Sequence, residues 1–587
     1  MTALYFFPEI INEDINKDFK SKYKTRNIPE IKAFSPKDLT PLLPENFKEN
    51  KPNILLIPTI FDASNSLSYQ GVEFALHWYL YLVDNLDKFA IILLGTEDKA
   101  SFFQHCNYAS FLKCPNVFYI QHNFTEIEQF MNKLESKIKK FSKEESIEKI
   151  KSIGIQPPMS YKSHHSITNE WSIYRWAKAL NIEDEQIRKI EYSIGGNLYF
   201  KYLKTIYPNL RDPKATRRLI QQQGSILYVD DELDKGWNII FENICIKTRY
   251  KSFGADFKSW GTETIIAKTI NEVNTFDPDV VILDFRLHDD DFDTTKPEEV
   301  TGYKILKKIK EINQGIQVII LSATNKIWNL LELQEARADG FIMKESPELS
   351  ANVNFTKVSI KNIYDTIEKC LPKGKNLKII NNKFLKLKEL INNNYDETFQ
   401  KETDVNLDIA FKLLEESFKE KKYINYSYLQ LFLIIEEYLK QDTIFESGDN
   451  CYVIHNDHKF LVHATKENTY DNAIKLEGGH YHIEKTTTKG KKFFVDTNFK
   501  MSAVLLFKFG CKTSGENNWT KVYTVRNKKV AHPESELVNF HDEILQLIDF
   551  MLYVFNSTNN KEVDVNRALP EQSMKEKLDA LQQKYKK

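Results

Sequence analysis

The feature that most constrains this chain is a series of four short apolar segments, each of which ends in polar residues. The segments are residues 226–232 (ILYVDDE), 280–284 (VVILD), 319–323 (IILSA) and 340–344 (GFIMK). Each has the length and the continuous apolar character of a strand that is buried in a parallel sheet. The segments between them are helical in pattern, which predicts an open α/β sheet. In such a sheet, the polar residues at the carboxyl ends of the strands converge on one site.

The predicted site has the residue types that phosphorylation of an aspartate requires. It would bring together the adjacent carboxylates of Asp230 and Asp231, a third carboxylate from Asp284, the hydroxyl group of Ser322 and the ammonium group of Lys344. Carboxylate oxygens are suitable ligands for a hard cation such as Mg²⁺. A metal ion and a lysine can together neutralise the charge of a phosphoryl group during its transfer.

These motifs resemble the receiver domain of two-component response regulators, over residues 223–373. The resemblance implies that Asp230 and Asp231 bind Mg²⁺ and that Asp284 is the phosphoacceptor. It also implies that the backbone carbonyl of Arg286 is a further ligand of the metal. The fold expected for this segment is a flavodoxin-like, doubly wound parallel sheet. A cognate histidine kinase or phosphotransfer protein would donate the phosphoryl group.

The same resemblance assigns the residues that respond to phosphorylation. Ser322 and Lys344 would contact the phosphoryl oxygens, and Phe341 would be the aromatic residue that moves with the switch. Taken singly, each site residue has a simpler interpretation, because an Asp-Asp pair commonly caps a helix and a lysine in a loop is commonly solvated. The order of all four segments favours the receiver.

Two features depart from the usual receiver pattern. A long acidic stretch, residues 288–299, separates Asp284 from Gly302, which is expected to open the next helix. Its carboxylates could add metal ligands or repel a phosphodonor. The lysine is also followed by residues 345–347 (ESP) rather than directly by proline.

Composition limits the class of protein. The chain has 587 residues, enough for three or four domains, and its 81 Lys and Arg balance 82 Asp and Glu. Such a balance gives no general attraction to nucleic acid or to a membrane. Six cysteines without a CxxC pair predict neither a disulfide framework nor a zinc knuckle. Without a signal peptide or a long apolar run, we expect a soluble, reduced, cytoplasmic protein.

The N-terminal half is predicted to contain a second unit of the same type. Residues 1–123 are interpreted as a degenerate receiver-like α/β domain, with Pro58 at the phosphoacceptor position and Ile120 at the lysine position. A generic βαβ fragment is an equally good interpretation. Residues 124–222 are predicted to form a helical linker or docking domain. Its adjacent histidines, at 164 and 165, fit surface or packing positions better than a metal site, and a phosphotransfer role is left open.

The C-terminal part is predicted to be a helical domain over residues 400–557, with a β insert at about 450–497. A linker, residues 374–399, would precede it, and a charged tail, residues 558–587, would follow it. Its most informative motif is residues 525–533 (VRNKKVAHP), in which an arginine and a histidine lie six positions apart.

The motif has the residue types of metal-free phosphodiester chemistry. A histidine such as His532 can accept or return the proton of an RNA 2′-hydroxyl group near neutral pH, and the guanidinium of Arg526 can hold phosphate oxygens. The segment resembles the RNxxxAH motif of the HEPN superfamily. That resemblance implies a helical-bundle fold, a catalytic Arg526 and His532, an orienting role for Asn527, a cleft shared by two protomers of a homodimer, and no metal cofactor.

These observations lead to one hypothesis and one alternative. The hypothesis is a response-regulator effector in which phosphorylation of Asp284 controls a HEPN-type endoribonuclease acting on RNA, in a setting such as stress or phage defence. The alternative is a non-catalytic signalling adaptor whose helical C-terminal domain binds a partner protein. A transcription regulator is disfavoured, because the C-terminal region lacks a compact helix-turn-helix with a basic recognition helix.

Overall fold

The computed structural model describes most of the chain, in ranges separated by short gaps. These ranges are residues 2–8, 18–19, 21–28, 53–61, 69–85, 89–157, 164–207, 210, 213, 218–294, 296–323, 333–347, 350, 355–440, 444–447, 450–455, 458–464, 471–477, 480–486, 496–511, 518–531 and 536–556. The chain divides into two compact units. The first contains residues 1–277, 281–306 and 318–368, and the second contains residues 278–280, 307–317 and 369–587.

The first unit begins with a parallel five-stranded sheet of strand order β2-β1-β3-β4-β5. Its strands are β1 (Thr2–Pro8), β2 (Lys24–Ile28), β3 (Asn53–Pro58), β4 (Phe89–Gly95) and β5 (Val117–Gln121). Helix α1 (Gln70–Asn85) follows β3, and helix α2 (Lys99–His105) follows β4. The sequence predicted β3, α1, β4 and β5, whereas β1 and β2 were not identified individually.

Both faces of this sheet are buried, which explains why its strands are apolar without alternation. Leu55 and Ile57 pack in a cluster with helix α1, while Ile54 and Leu56 pack in a separate cluster on the other face. Successive side chains of a strand point to opposite faces, so burial on both sides demands a continuous apolar run.

In the described part of residues 124–222, which were predicted to be helical, five α-helices follow the first sheet. They are α3 (Phe124–Lys137), α4 (Lys143–Lys151), α5 (His164–Leu180), α6 (Glu185–Gly196) and α7 (Leu198–Ile206). Asn123, Ser142, Asp184 and Asn197 cap the N-termini of α3, α4, α6 and α7, each by accepting backbone hydrogen bonds. These caps satisfy amide groups that have no partner inside the helix.

A second five-stranded sheet has the order β10-β9-β8-β6-β7, which is the strand order of the first sheet. Its strands are β6 (Ser225–Val229), β7 (Arg249–Phe253), β8 (Val280–Asp284), β9 (Gln317–Ser322) and β10 (Gly340–Met343). Among the described residues between them are the helices α8 (Trp237–Ile244), α9 (Thr262–Phe276) and α10 (Thr301–Ile312). The two sheets confirm the predicted α/β fold class.

The segment predicted as a linker, residues 374–399, is largely helical. Helix α11 runs from Phe355 to Asn394 and includes Pro372. Proline removes one helical hydrogen bond. Apolar residues at helical spacing pack in the core of the second unit and offset that loss. They are Leu377, Ile380, Phe384, Leu387 and Ile391.

The rest of the second unit combines helices with five short strands. The helices are α12 (Glu397–Ser417), α13 (Tyr423–Tyr438), α14 (Thr497–Phe507), α15 (Trp519–Val525) and α16 (Leu545–Phe555). Strands β11 (Ile444–Ser447), β12 (Asn450–His455), β13 (His458–Ala464), β14 (Asp471–Glu477) and β15 (His480–Thr486) lie between α13 and α14 in the chain. Two π-helical turns, Arg526–Val530 and Phe540–Ile544, adjoin α15 and α16. Among the described residues, no helix is both long and apolar enough to cross a membrane.

Candidate phosphoacceptor site

Three carboxylates meet at the carboxyl edge of the second sheet. Asp230 directly follows β6, and Asp284 is the last residue of β8. One oxygen each from Asp230, Asp231 and Asp284 lies within 4.8 Å of the others. Within the described parts of the chain, this is the one group of three or more acidic, histidine or cysteine side chains with such spacing. The sequence prediction that these residues converge is therefore met by the geometry.

Lys344 joins the carboxylates from the neighbouring end of β10. Its Nζ atom lies 2.7 Å from Asp284 Oδ2 and 3.6 Å from Asp230 Oδ2, and the side chain is fully buried. Burial alone would lower the pKa of Lys344, but the carboxylates of Asp284 and Asp230 outweigh it and raise the pKa above its ordinary value. The lysine therefore stays charged inside the site.

Burial and neighbouring carboxylates raise the pKa of two of these carboxyl groups, Asp230 and Asp231. Burial, followed by repulsion from Asp230 and Asp284, raises the pKa of Asp231 to about 8. The pKa of Asp230 is also raised, by burial and then by Asp284, although Lys344 opposes the shift. Tyr228 donates a hydrogen bond of 2.5 Å to Asp230 Oδ2, and the Glu232 amide donates one of 2.6 Å to Asp230 Oδ1. One lysine does not neutralise this many carboxylates.

The donor set suits a magnesium ion. Receiver domains typically bind Mg²⁺ in an acidic pocket of this kind, and oxygen ligands are what that ion requires. Asp284 Oδ1 is buried and has no hydrogen-bond partner among the described residues, so it is available as a ligand. Arg286, whose carbonyl was predicted as a further ligand, stacks its guanidinium at 5.0 Å from the Phe292 ring centroid. The role of its carbonyl stays a prediction.

The predicted switch residues lie on adjacent strands of the same sheet. Ser322 ends β9 and pairs with Met343 in the parallel register, and its carbonyl accepts a 2.8 Å hydrogen bond from the Lys344 amide. Phe341 is half-buried in β10, and its carbonyl accepts a hydrogen bond from Asn362. Both residues thus lie in the strands that lead to the site, while their roles in the switch stay predictions.

The acidic stretch after Asp284 is organised by one of its own carboxylates. Asp291 is buried and accepts backbone hydrogen bonds from Leu287, His288 and Thr301, and a further one from the Thr301 hydroxyl. Thr301 is the first residue of α10, so the hydrogen bonds to Asp291 connect the loop to the start of that helix. In the described part of the loop, no carboxylate belongs to the three-acid group.

The first sheet repeats the backbone pattern of this site without its chemistry. In the second sheet, the amide of Phe285, the residue after Asp284, donates a hydrogen bond to the Leu321 carbonyl. In the first sheet, the amide of Thr59, the residue after Pro58, donates the equivalent bond to the Leu94 carbonyl. Pro58 therefore occupies the position of Asp284, as the sequence predicted.

The same comparison corrects the position predicted for the lysine. The Lys344 amide bonds the carbonyl of the last β9 residue, and the His122 amide bonds the carbonyl of Gly95, the last residue of β4. His122, not Ile120, therefore stands where the second sheet has Lys344. The sequence placed it wrongly because β5 extends to Gln121, one residue beyond the apolar run.

Arg526 and Asn527 lie in the π-helical turn after α15. Arg526 Nη1 donates a 3.1 Å hydrogen bond to Asn527 Oδ1, and Nη2 lies 3.9 Å from Glu436 Oε1. The Arg526 guanidinium is 5.6 Å from the Phe432 ring centroid, and its Nε is buried without a hydrogen-bond partner in the described residues. His532 lies outside the described residues, so its distance from Arg526 is not defined.

Residues 256–353 match the model of the response regulator receiver domain. This match includes the positions of Asp284, Ser322 and Lys344, whereas Asp230 and Asp231 precede it. A search of curated proteins found no match.

Solved structures of response regulators are similar to parts of the chain. A LuxR-family response regulator from Aurantimonas sp. SI85-9A1 is 18% identical, with a TM-score of 0.18, over 24% of this chain and 86% of that one. The receiver domain of NtrX from Brucella abortus is 20% identical, with a TM-score of 0.16, over 24% and 98%. DrrB from Thermotoga maritima is 25% identical, with a TM-score of 0.16, over 22% of this chain and 49% of DrrB. The family match shows that this chain contains a response regulator receiver domain, the module that receives the signal in two-component systems.

Proposed function

We propose that this protein is a response regulator whose state is set by phosphorylation of Asp284. The observation that carries the proposal is the geometry around that carboxylate. Asp284 Oδ2 is bonded to the Lys344 ammonium at 2.7 Å, while the buried Oδ1 has no hydrogen-bond partner in the described chain. Two more carboxylates lie beside it. This arrangement suits a nucleophilic oxygen that sits between a cation site and an ammonium group.

The reaction is transfer of a phosphoryl group from a phosphohistidine of a donor protein such as a histidine kinase. An Asp284 oxygen attacks the phosphorus, the nitrogen–phosphorus bond breaks, and the donor imidazole leaves and takes up a proton. The product is an acyl phosphate on Asp284. Lys344 neutralises negative charge on the phosphoryl oxygens. Mg²⁺, held by Asp230, Asp231 and Asp284, would supply further positive charge.

The response to phosphorylation would follow from the new acceptor oxygens. Ser322 at the end of β9 would donate a hydrogen bond to them, and Lys344 would pair with them. Phe341, half-buried in β10, would then change its packing. Such a local charge change biases a two-state surface, which is how a receiver passes on its signal.

The site is tested by chemical phosphorylation of the full chain. With Mg²⁺ and acetyl phosphate, we expect intact-mass spectrometry to detect one added phosphoryl group on wild type and none on Asp284→Asn. Asp289→Asn is the matched control, because Asp289 is an exposed acid in the neighbouring loop. Absence of the adduct from wild type under saturating donor would refute the proposal.

We further propose that the C-terminal domain is the effector and that it cleaves RNA in the manner of HEPN ribonucleases. The support is the environment of Arg526, which lies in a π-helical turn, a feature frequent at functional sites. Its buried Nε has no partner in the described chain, so the guanidinium has capacity to bind a phosphate. His532 would take the proton of the 2′-hydroxyl group, and Asn527 would orient Arg526. A homodimer would place two such motifs in one cleft.

The effector is tested with purified protein and total RNA, before and after treatment with acetyl phosphate. We expect cleavage products that end in 2′,3′-cyclic phosphate, and loss of cleavage in His532→Ala and Arg526→Lys. His541→Ala is the matched control, because His541 is an exposed histidine of the same region. Equal behaviour of wild type and His532→Ala under both conditions would favour the alternative, a non-catalytic adaptor that binds a partner protein.

A further inference from the structure

Helix α5 contacts the segment that carries the acidic pair. The Asn169 amide donates a hydrogen bond to the Glu232 carboxylate and accepts one of 3.3 Å from Trp237 Nε1. The rings of Trp176 and Trp237 are 4.9 Å apart and nearly perpendicular. The Trp237 ring centroid in turn lies 5.2 Å from Lys344 Nζ. One aromatic side chain therefore separates helix α5 from the ammonium group of the site.

The same helix contacts the segment that follows Lys344. Glu345 is fully buried, and its carboxylate lies 3.2 Å from Trp176 Nε1 and 3.4 Å from Arg175 Nε. The Ser172 hydroxyl donates a 2.7 Å hydrogen bond to the Glu345 carbonyl. Two hydroxyl groups complete the donors to this carboxylate, Ser350 at 2.6 Å and Thr356 at 2.7 Å. A buried carboxylate with this many donors is a firm attachment point.

The site between these two segments has little room for a phosphoryl group. Asp230, Asp284 and Lys344 are each at most 1% exposed, and Lys344 Nζ already lies 2.7 Å from Asp284 Oδ2. Protein interiors are close-packed, so we expect a phosphoryl group on Asp284 to shift the Lys344 ammonium group away from the carboxylate, onto the phosphoryl oxygens, and to widen the pocket. Because α5 is bonded to the segments on both sides, we expect such a widening to weaken one set of its contacts.

We propose that helix α5 restrains the phosphoacceptor site and loosens when Asp284 is modified. If modification of Asp284 weakens the contacts of α5, then the contacts of α5 must oppose modification of Asp284 to the same extent, because coupling between two sites is reciprocal. Glu345, which stands where a receiver usually has proline, is the point of attachment next to the lysine. This inference rests on the proposed function, since it requires Asp284 to accept a phosphoryl group.

The first test measures hydrogen exchange on the full wild-type chain with Mg²⁺, with and without beryllofluoride as a phosphoryl mimic. We expect backbone amides of residues 164–180 to exchange about fivefold faster or more when the mimic is bound, because opening of this helix becomes less costly. Helix α1 is the internal control and should not change. Fluorine NMR establishes independently that the mimic is bound, and Asp284→Asn should abolish that signal.

The second test uses the reciprocal effect on affinity. Asn169→Ala removes both contacts with the acidic segment, and Trp176→Phe removes one donor to Glu345. We expect each to bind beryllofluoride about three- to tenfold more tightly than wild type, which is the effect of losing one or two hydrogen bonds that oppose binding. Trp78→Phe is the matched control, because Trp78 is fully buried in helix α1 and its Nε1 has no partner in the described residues.

The outcomes separate this inference from the function on which it rests. A bound-fluoride signal together with unchanged exchange in α5 would refute the inference and leave phosphorylation of Asp284 intact. Absence of bound fluoride in wild type would refute the proposed function and the inference with it. Faster exchange in α5 and tighter binding by the two variants would support both.

Discussion

Replacing Lys344 by methionine tests whether this lysine offsets the cost in folding free energy of burying the carboxylates beside it. The substitution preserves most of the side-chain volume but removes the charge that lies 2.7 Å from Asp284 and 3.6 Å from Asp230. Loss of one partner from a buried ion pair costs about 3 to 5 kcal/mol. Protonation of the carboxyl groups recovers part of this, so we expect a loss of about 3 kcal/mol near pH 8, or roughly a hundredfold faster amide exchange in β6 and β8.

The loss should depend on pH in a defined direction. A buried carboxyl group whose pKa is higher in the folded than in the unfolded state binds its proton more tightly when folded. The free energy of unfolding therefore falls as the pH rises from the unfolded-state pKa to the folded-state pKa. In Lys344→Met the pKa of Asp230 and that of Asp231 would rise further, because Lys344 lowers both. We therefore expect the variant to be closer to wild type at about pH 5.5 than at about pH 8. Added Mg²⁺ should offset the loss at the higher pH.

Hydrogen exchange is the suitable assay, because a multidomain chain does not unfold in a single step. Lys310→Met is the matched control. Lys310 is also buried, but its Nζ bonds the carbonyl oxygens of Gln314 and Ile316. Its loss should be independent of pH in this range and insensitive to Mg²⁺. A Lys344→Met variant as stable as wild type near pH 8 without Mg²⁺ would refute the reasoning.

Three further predictions concern the same sheet edge and its counterpart. Because the pKa of Asp231 is raised to about 8, Mg²⁺ must displace its proton, and calorimetry should find affinity rising by up to about tenfold per pH unit from pH 6 to 8. Asp291→Ala should destabilise the loop by about 2–3 kcal/mol in hydrogen exchange of α10, while the exposed Asp289→Ala should have almost no effect. Gly302→Ala and Gly71→Ala would each place a Cβ within 2.5 Å of a backbone oxygen, so thermal unfolding should occur at lower temperature in both.

Much of the site could be predicted because it depends on local pattern. A buried strand in a parallel sheet is a short apolar run, and its last residue fixes the position of the polar group that follows. Asp230, Asp284 and Lys344 were found in this way, although 114 positions separate the first from the last. The topology, not the distance along the chain, brings these side chains together.

The parts that could not be predicted depend on contacts between distant segments. No local pattern shows that Glu345 bonds Arg175 and Trp176, since helix α5, which carries both of them, lies about 170 positions before Glu345 in the chain. The part of helix α11 beyond residue 373 was predicted to be a linker, because Pro372 and a nearby glycine are typical of one. The apolar face of that part is nevertheless buried. Asp291 carries the same charge as its neighbours, and only its burial distinguishes the capping residue from the solvated ones.

The close approach of Gly71, at the start of helix α1, to the end of β3 has a consequence for how variants of this protein would be interpreted. A Cβ at position 71 would come within 1.7 Å of the Pro58 carbonyl oxygen, just as one at 302 would meet the Phe285 oxygen at 2.5 Å. The restriction at Gly71 comes from the backbone alone, at an edge where Pro58 stands in the position of Asp284. A missense allele there would imitate a signalling defect in a genetic screen, although it leaves every reactive side chain in place.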